Sequence, residues 1–141
     1  MNALKELKLH QYVRDLIGQP FEFGKNDCPL LAAGALDALA GGNRREEMTG
    51  LWKDKKSAWV YMKKNGTISE HLKREGCENI DPNFMQNGDF IMMHQDLAHE
   101  KQWHSVGVCL GNKIAIVSDE EGVILVNKSQ LPKIDEVLRW Q

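Results

Sequence analysis

Cys28 is the side chain best placed for nucleophilic chemistry. It follows Asn26-Asp27 and opens the run CPLLAAGALDALA. At the start of a helix, orphan backbone N–H groups and the helix dipole favour a thiolate, which lowers a cysteine pKa and raises its reactivity at neutral pH. The same N–H groups can hold the oxyanion that develops on an attacked carbonyl. The competing reading is a small side chain that fills a helix end, as most free cysteines do. The other two thiols differ. Cys77 follows Gly76 in a predicted loop, where a bystander is the default, and Cys109 alternates with Val106 and Val108 as a buried strand residue.

A cysteine nucleophile needs a base, and the candidates are His10, His71, His94, His99 and His104. His10 and His71 fall on predicted helices, where a solvated ring is the default. His104 begins the strand-like segment HSVGVCL, and a base on a rigid strand can be held in one orientation beside a helix start. Taken alone, it reads equally well as an ordinary strand-end histidine. His94, His99 and His104 are also spaced H-x4-H-x4-H, within the broad range of metal ligands. No CxxC pair accompanies them and the residues between look like a polar loop, so no metal and no cofactor are expected.

These residues must be positioned by a fold that the hydrophobic pattern predicts. Leu9, Tyr12, Val13, Leu16 and Ile17 mark one face of an amphipathic helix that Gly18 and Pro20 stop. Pro29 suits a first helical position, and residues 30–40 are apolar or small except for Asp37, which predicts a central buried helix ending at Gly41-Gly42. Residues 46–64 carry Met48, Leu51, Trp52, Trp59 and Met62 among lysines and read as one or two surface helices. Thr67-Ile-Ser-Glu70 is a capping-box pattern for a short helix ending at Gly76. Strands follow at 90–93, 106–110, 114–117, 123–126 and 136–140, with Asn87-Gly88 and other short turns that favour an antiparallel meander. Helices first and strands afterwards make an α+β fold, as one domain over 1–141.

Composition narrows the partners. The 141 residues are 42% hydrophobic and 27% charged, ordinary for a globular domain with its own core. Eighteen basic against twenty acidic residues leave a charge of −2 and no field for phosphates, so nucleic acid is not expected. No apolar run approaches the ~20 residues of a membrane span. The start MNALKELKLHQ has no apolar core of a secretory signal, and the expectation is no signal peptide and no membrane association.

Read in order, GQPFEFGKNDCPLLAAGALDAL, NGDFIMM and HSVGVCLGNKIAIVS resemble the pattern of the NlpC-type cell-wall cysteine peptidases of the papain-like superfamily. In that family an Asp-Cys pair opens the central helix, a Gly-Asp pair starts the first core strand, and a histidine starts the next. The chain looks closest to a compact NlpC-like family of phage and prophage tail gene clusters. The resemblance implies a papain-like fold, Cys28 as nucleophile, His104 as base, and an acyl-enzyme thioester formed on a peptidoglycan stem peptide. It also implies a substrate and oxyanion pocket at Phe21, Phe23 and Asp27, other phage tail proteins as partners, and a location in the bacterial host cytoplasm and then the virion tail. Three positions depart from the family pattern. Phe21 stands where the family has a tyrosine, Pro-Leu-Leu follows the nucleophile, and the third polar residue falls near apolar Ile116. Ser118 or Asp119 takes that third place only if the register shifts. The alternative is a catalytically weak or inactive papain-like component of a tail tip or its assembly.

Overall fold

The apolar run that follows Asp27 forms the helix on which the other layers pack. A computed structural model describes residues 2–95 and 103–141, apart from the side chains at 94, 95, 103 and 104. Helix α1 spans Ala3–Leu16 and α2 spans Cys28–Ala40. α2 opens at Cys28, one residue before the expected start, with Asp27 as its cap and Pro29 in its first turn, where the missing N–H costs nothing. Leu30, Leu31, Ala32, Ala33, Gly34, Ala35, Leu36 and Leu39 are all buried, as a helix with no polar face requires.

The lysine-rich region divides into α3 (Arg44–Met48) and α4 (Lys55–Asn65), and α5 follows at Ile68–Arg74. Trp52 lies between α3 and α4 rather than on a surface helix. It is 5% exposed and packs with Leu30 and Ala58. Thr67 caps α5 by accepting from the Glu70 backbone N–H.

Six strands make one antiparallel sheet: β1 (Cys77–Ile80), β2 (Phe90–Gln95), β3 (Trp103–Cys109), β4 (Lys113–Ser118), β5 (Gly122–Asn127) and β6 (Ile134–Trp140). Their order is β1-β6-β2-β3-β4-β5. The expected meander holds from β2 to β5. β6 leaves it and crosses back to pair with both β1 and β2. Cys77, expected in a loop, sits buried in β1, paired with Trp140. The architecture is α+β.

Strand alternation gives the sheet two faces. Phe90, Met92, Val106, Val108, Ala115 and Leu138 meet α1 and α2 on one of them. Ile91, Met93, Cys109 and Ile114 form a smaller cluster on the other, covered in part by Met85 and Leu131. At the β2 start, buried Asp89 holds Arg139 of β6 through two hydrogen bonds of 2.8 and 2.9 Å and accepts the Gln86 N–H. Among the described residues, no helix is long and apolar enough to cross a membrane.

Candidate active site

The segment leading to Cys28 is held from both ends. After α1 the chain runs along the edge of β5, where the Gly18 N–H donates to the Val123 carbonyl (2.9 Å) and the Val123 N–H to the Gln19 carbonyl (3.2 Å). Gly122 permits this approach, because a Cβ there would lie 1.9 Å from the Gln19 oxygen. The Asn26 amide donates to the carbonyls of Gln19 and Pro20, at 3.0 and 2.9 Å. Arg45 of α3 then bridges Asn26 Oδ1 (3.1 Å) and the Tyr12 hydroxyl (2.7 Å). The Tyr12 hydroxyl donates to the Leu30 and Leu31 carbonyls on α2, and burial pushes its pKa up to about 12 against the opposing Arg45 charge. One polar cluster thus ties α1, the lead-in, α2 and α3 together.

Asp27 sets the start of α2. Its carboxylate accepts the Leu30 N–H (3.2 Å), the Gly24 N–H (2.8 Å) and the indole N–H of Trp52 (2.6 Å). Gly24 is required by the same contact. Its φ is +75°, and a Cβ would lie 1.8 Å from the Trp52 carbonyl oxygen. Asp27 lines the site as expected, but a carboxylate is an acceptor, and its oxygens are spent on the cap and on Trp52. It anchors the nucleophile's helix and is no donor to an oxyanion.

Cys28, partly exposed, opens a cleft of about 140 Å³ whose other walls include Phe21, Phe23, Trp52, Lys55 and Asp119. Phe21 and Phe23 pack edge to face with ring centroids 4.8 Å apart. Among the described groups, the balance on the thiol is opposite to the expectation. Burial pushes Cys28 up to about 12, and the charges of Asp27 and Asp119 add to the rise. Backbone hydrogen bonds, from Val106 of β3 and at Cys28 itself, oppose it without prevailing. A helix start alone does not make this thiol a thiolate. Burial also raises Cys77, to about 11, and Cys109.

The backbone of His104 lies in β3, opposite His94 of β2, while its side chain falls outside the described residues. His99 and the side chain of His94 do too, so the H-x4-H-x4-H spacing has no described geometry. Ile116 packs against the cluster on the far face of the sheet and has no part in the cleft. Asp119, just past β4, lines the cleft with Val117, two residues earlier. Ser118 is occupied by the turn, accepting the N–H groups of Glu120 and Glu121 at 3.3 Å.

Trp52, Lys55 and Ser105 line the cleft and are not found by sequence reasoning. Each is a long-range neighbour of Cys28 with no spacing to announce it. Asp27, buried beside Cys28, offers one usable signal, since its carboxylate must find N–H donors.

No curated protein matches the chain. A family model covers residues 4–134, from α1 to the first residue of β6, and takes in Cys28, His104 and Asp119. That span is most of the sequence, and the chain belongs to the family described as Domain of unknown function (DUF6950).

Proposed function

We propose that the protein is a papain-like, NlpC-type cysteine hydrolase in which Cys28 is the nucleophile and His104 the base. One observation carries the reading. Cys28 opens the buried central helix at a cleft that Ser105 of β3, the residue next to His104, also lines. In this reading Cys28 is the nucleophile, His104 its base and Asp119 the carboxylate that orients the base.

In this mechanism His104 takes the thiol proton as Cys28 sulfur attacks an amide carbonyl. The proton goes to the leaving amine when the C–N bond breaks, and a thioester remains. Water, deprotonated by His104, then releases the acid and restores the thiol. The Cys28 backbone N–H is the oxyanion donor in place of the hydroxyl that Phe21 lacks, since Pro29 has no N–H and those of Leu30 and Leu31 bond Asp27. The substrate is a peptidoglycan stem peptide, the partners are phage tail proteins, and the protein passes from the host cytoplasm into the virion tail. These last three statements rest on the resemblance of the motifs around Cys28 and His104.

The test is release of new amino termini from peptidoglycan fragments, read by mass spectrometry. Wild type is expected to release them and Cys28→Ala to release none. Equal release by both overturns the assignment. A second reading, a papain-like tail component with little turnover, is favoured by one observation: burial and two nearby carboxylates hold the thiol protonated. It predicts that tail assembly survives Cys28→Ala and that wild type releases nothing.

A further inference from the structure

The charge of the chain is unevenly placed. Residues 53–64 hold five lysines and one acid, Asp54, in a protein whose net charge is −2. Asp54 caps α4 by accepting the Ser57 N–H at 2.8 Å, and α4 itself contains no acidic residue. Lys53, Lys55, Lys56, Lys63 and Lys64 are all exposed. A solvent face laced with salt bridges alternates lysine with glutamate, and this one does not. Its like charges repel one another, and an anionic surface relieves that repulsion.

The same face is not wholly polar. Lys56, Val60 and Lys64 follow at intervals of four along the outer side of α4. Leu51 stands beside them on the wall of the shallow groove that all four line. Leu51 is 50% and Val60 54% exposed. The opposite side of the helix is spent on the core, where Ala58 packs with Trp52 and Leu30.

The chemistry of the patch selects its occupant. All five cations are lysines, point charges on flexible stems without the fork that arginine offers to a carboxylate or a phosphate. The aromatic rings of α4 are engaged and do not offer a face for a base to stack on. Tyr61 packs on Trp52 and His71, with ring centroids 5.0 and 6.5 Å apart, and Lys63 lies over Trp59 at 5.5 Å. Diffuse positive charge around two exposed aliphatic side chains matches an anionic bilayer. Its headgroups supply negative charge without fixed geometry, and an apolar boundary lies just beneath them.

We propose that α4 and Leu51 dock the protein on an anionic lipid surface, with the lysines among the headgroups and Leu51 and Val60 at the acyl boundary. The expectation of no membrane association rested on the lack of a spanning run, which a helix lying on a surface does not need. The proposal does not rest on the chemistry of Cys28.

Co-sedimentation of the full chain with vesicles tests it, using phosphatidylcholine alone and its equimolar mixture with phosphatidylglycerol. Binding to the mixed vesicles is expected to be at least about tenfold tighter than to the neutral ones. It should be lost between about 0.1 and about 1 M salt, as the screening length falls from about 10 to about 3 Å. A lysine near an anionic surface contributes roughly fivefold in affinity, so Lys53→Gln, Lys56→Gln and Lys64→Gln together should weaken binding on the order of 100-fold. Lys8→Gln, Lys128→Gln and Lys133→Gln, at exposed sites elsewhere, should leave it near wild type. Leu51→Ser with Val60→Ser should weaken it about tenfold and leave its salt dependence in place. Every substituted side chain is exposed, so the thermal midpoints should stay near that of wild type. No binding to the mixed vesicles, equal binding to both kinds, or equal weakening by the two lysine sets overturns the proposal. Binding that Leu51→Ser with Val60→Ser leaves unchanged overturns the lipid assignment and points to a soluble polyanion instead.

Discussion

Replacing His104 with alanine should turn Cys28 from a neutral-pH nucleophile into a nearly inert thiol. Burial and the charges of Asp27 and Asp119 push that thiol up to about 12. A free cysteine thiol titrates near 8.5, so at pH 7.5 about a tenth of it is thiolate, against roughly 3 in 100,000 for a thiol at 12. The more basic thiolate is intrinsically more nucleophilic, which returns about 40-fold of that 3,000-fold deficit. An isolated Cys28 should therefore react about 100-fold slower than a free thiol. If an imidazolium at His104 brings the thiol to between about 5 and 7, the same arithmetic makes wild type about 20- to 100-fold faster than His104→Ala at pH 7.5.

The assay is iodoacetamide alkylation from pH 5 to 10, with each cysteine peptide followed separately by mass spectrometry. Wild-type Cys28 should reach a plateau near neutrality. In His104→Ala its rate should climb about tenfold per pH unit across the range, because its thiolate fraction does. Cys77 and Cys109, raised by burial in their own strands, serve as internal references and should not respond to the substitution. The reasoning is refuted if Cys28 shows the same steep climb in both proteins.

Trp52→Phe keeps the ring but removes the N–H that reaches Asp27 at 2.6 Å, which leaves a buried carboxylate one donor short. It should cost about 1–3 kcal/mol in urea unfolding, and an unchanged midpoint would show that Asp27 does not rely on Trp52. Arg139→Leu strands Asp89, 1% exposed, without its cation and should cost about 3–5 kcal/mol by the same measurement. The loss should shrink when Asp89→Asn is combined with it, since a neutral amide needs no cation. A double variant no more stable than Arg139→Leu would refute the pairing argument.

Much of the scaffold was legible in the sequence because it follows from local rules. Residues 30–40 have no polar face, so α2 had to be buried, and Thr67 with Glu70 marked the start of α5. What could not be read depends on contacts between distant segments. β1 is four residues long with Glu78 and Asn79 exposed, and only pairing with β6 makes it a strand. The return of β6 to the middle of the sheet leaves no mark on turn lengths. At the site, the type and position of Cys28 were visible, but its acidity was not. That depends on how deeply α2 seats against β3 and on where Asp119 falls.

The crossing of β6 sets an order on how the chain can fold. On a ribosome the helices and the β2–β5 meander emerge while the place between β1 and β2 is still open. Until Ile134–Trp140 arrives, β1 has no partner and the β2 edge that β6 will occupy is bare. Asp89, destined to be buried, must stay hydrated until Arg139 appears fifty residues later. The sheet therefore closes by a long-range docking step, which is slow compared with forming local helices. During that interval the bare edge is the part of a nascent chain most prone to pair with a strand from another molecule.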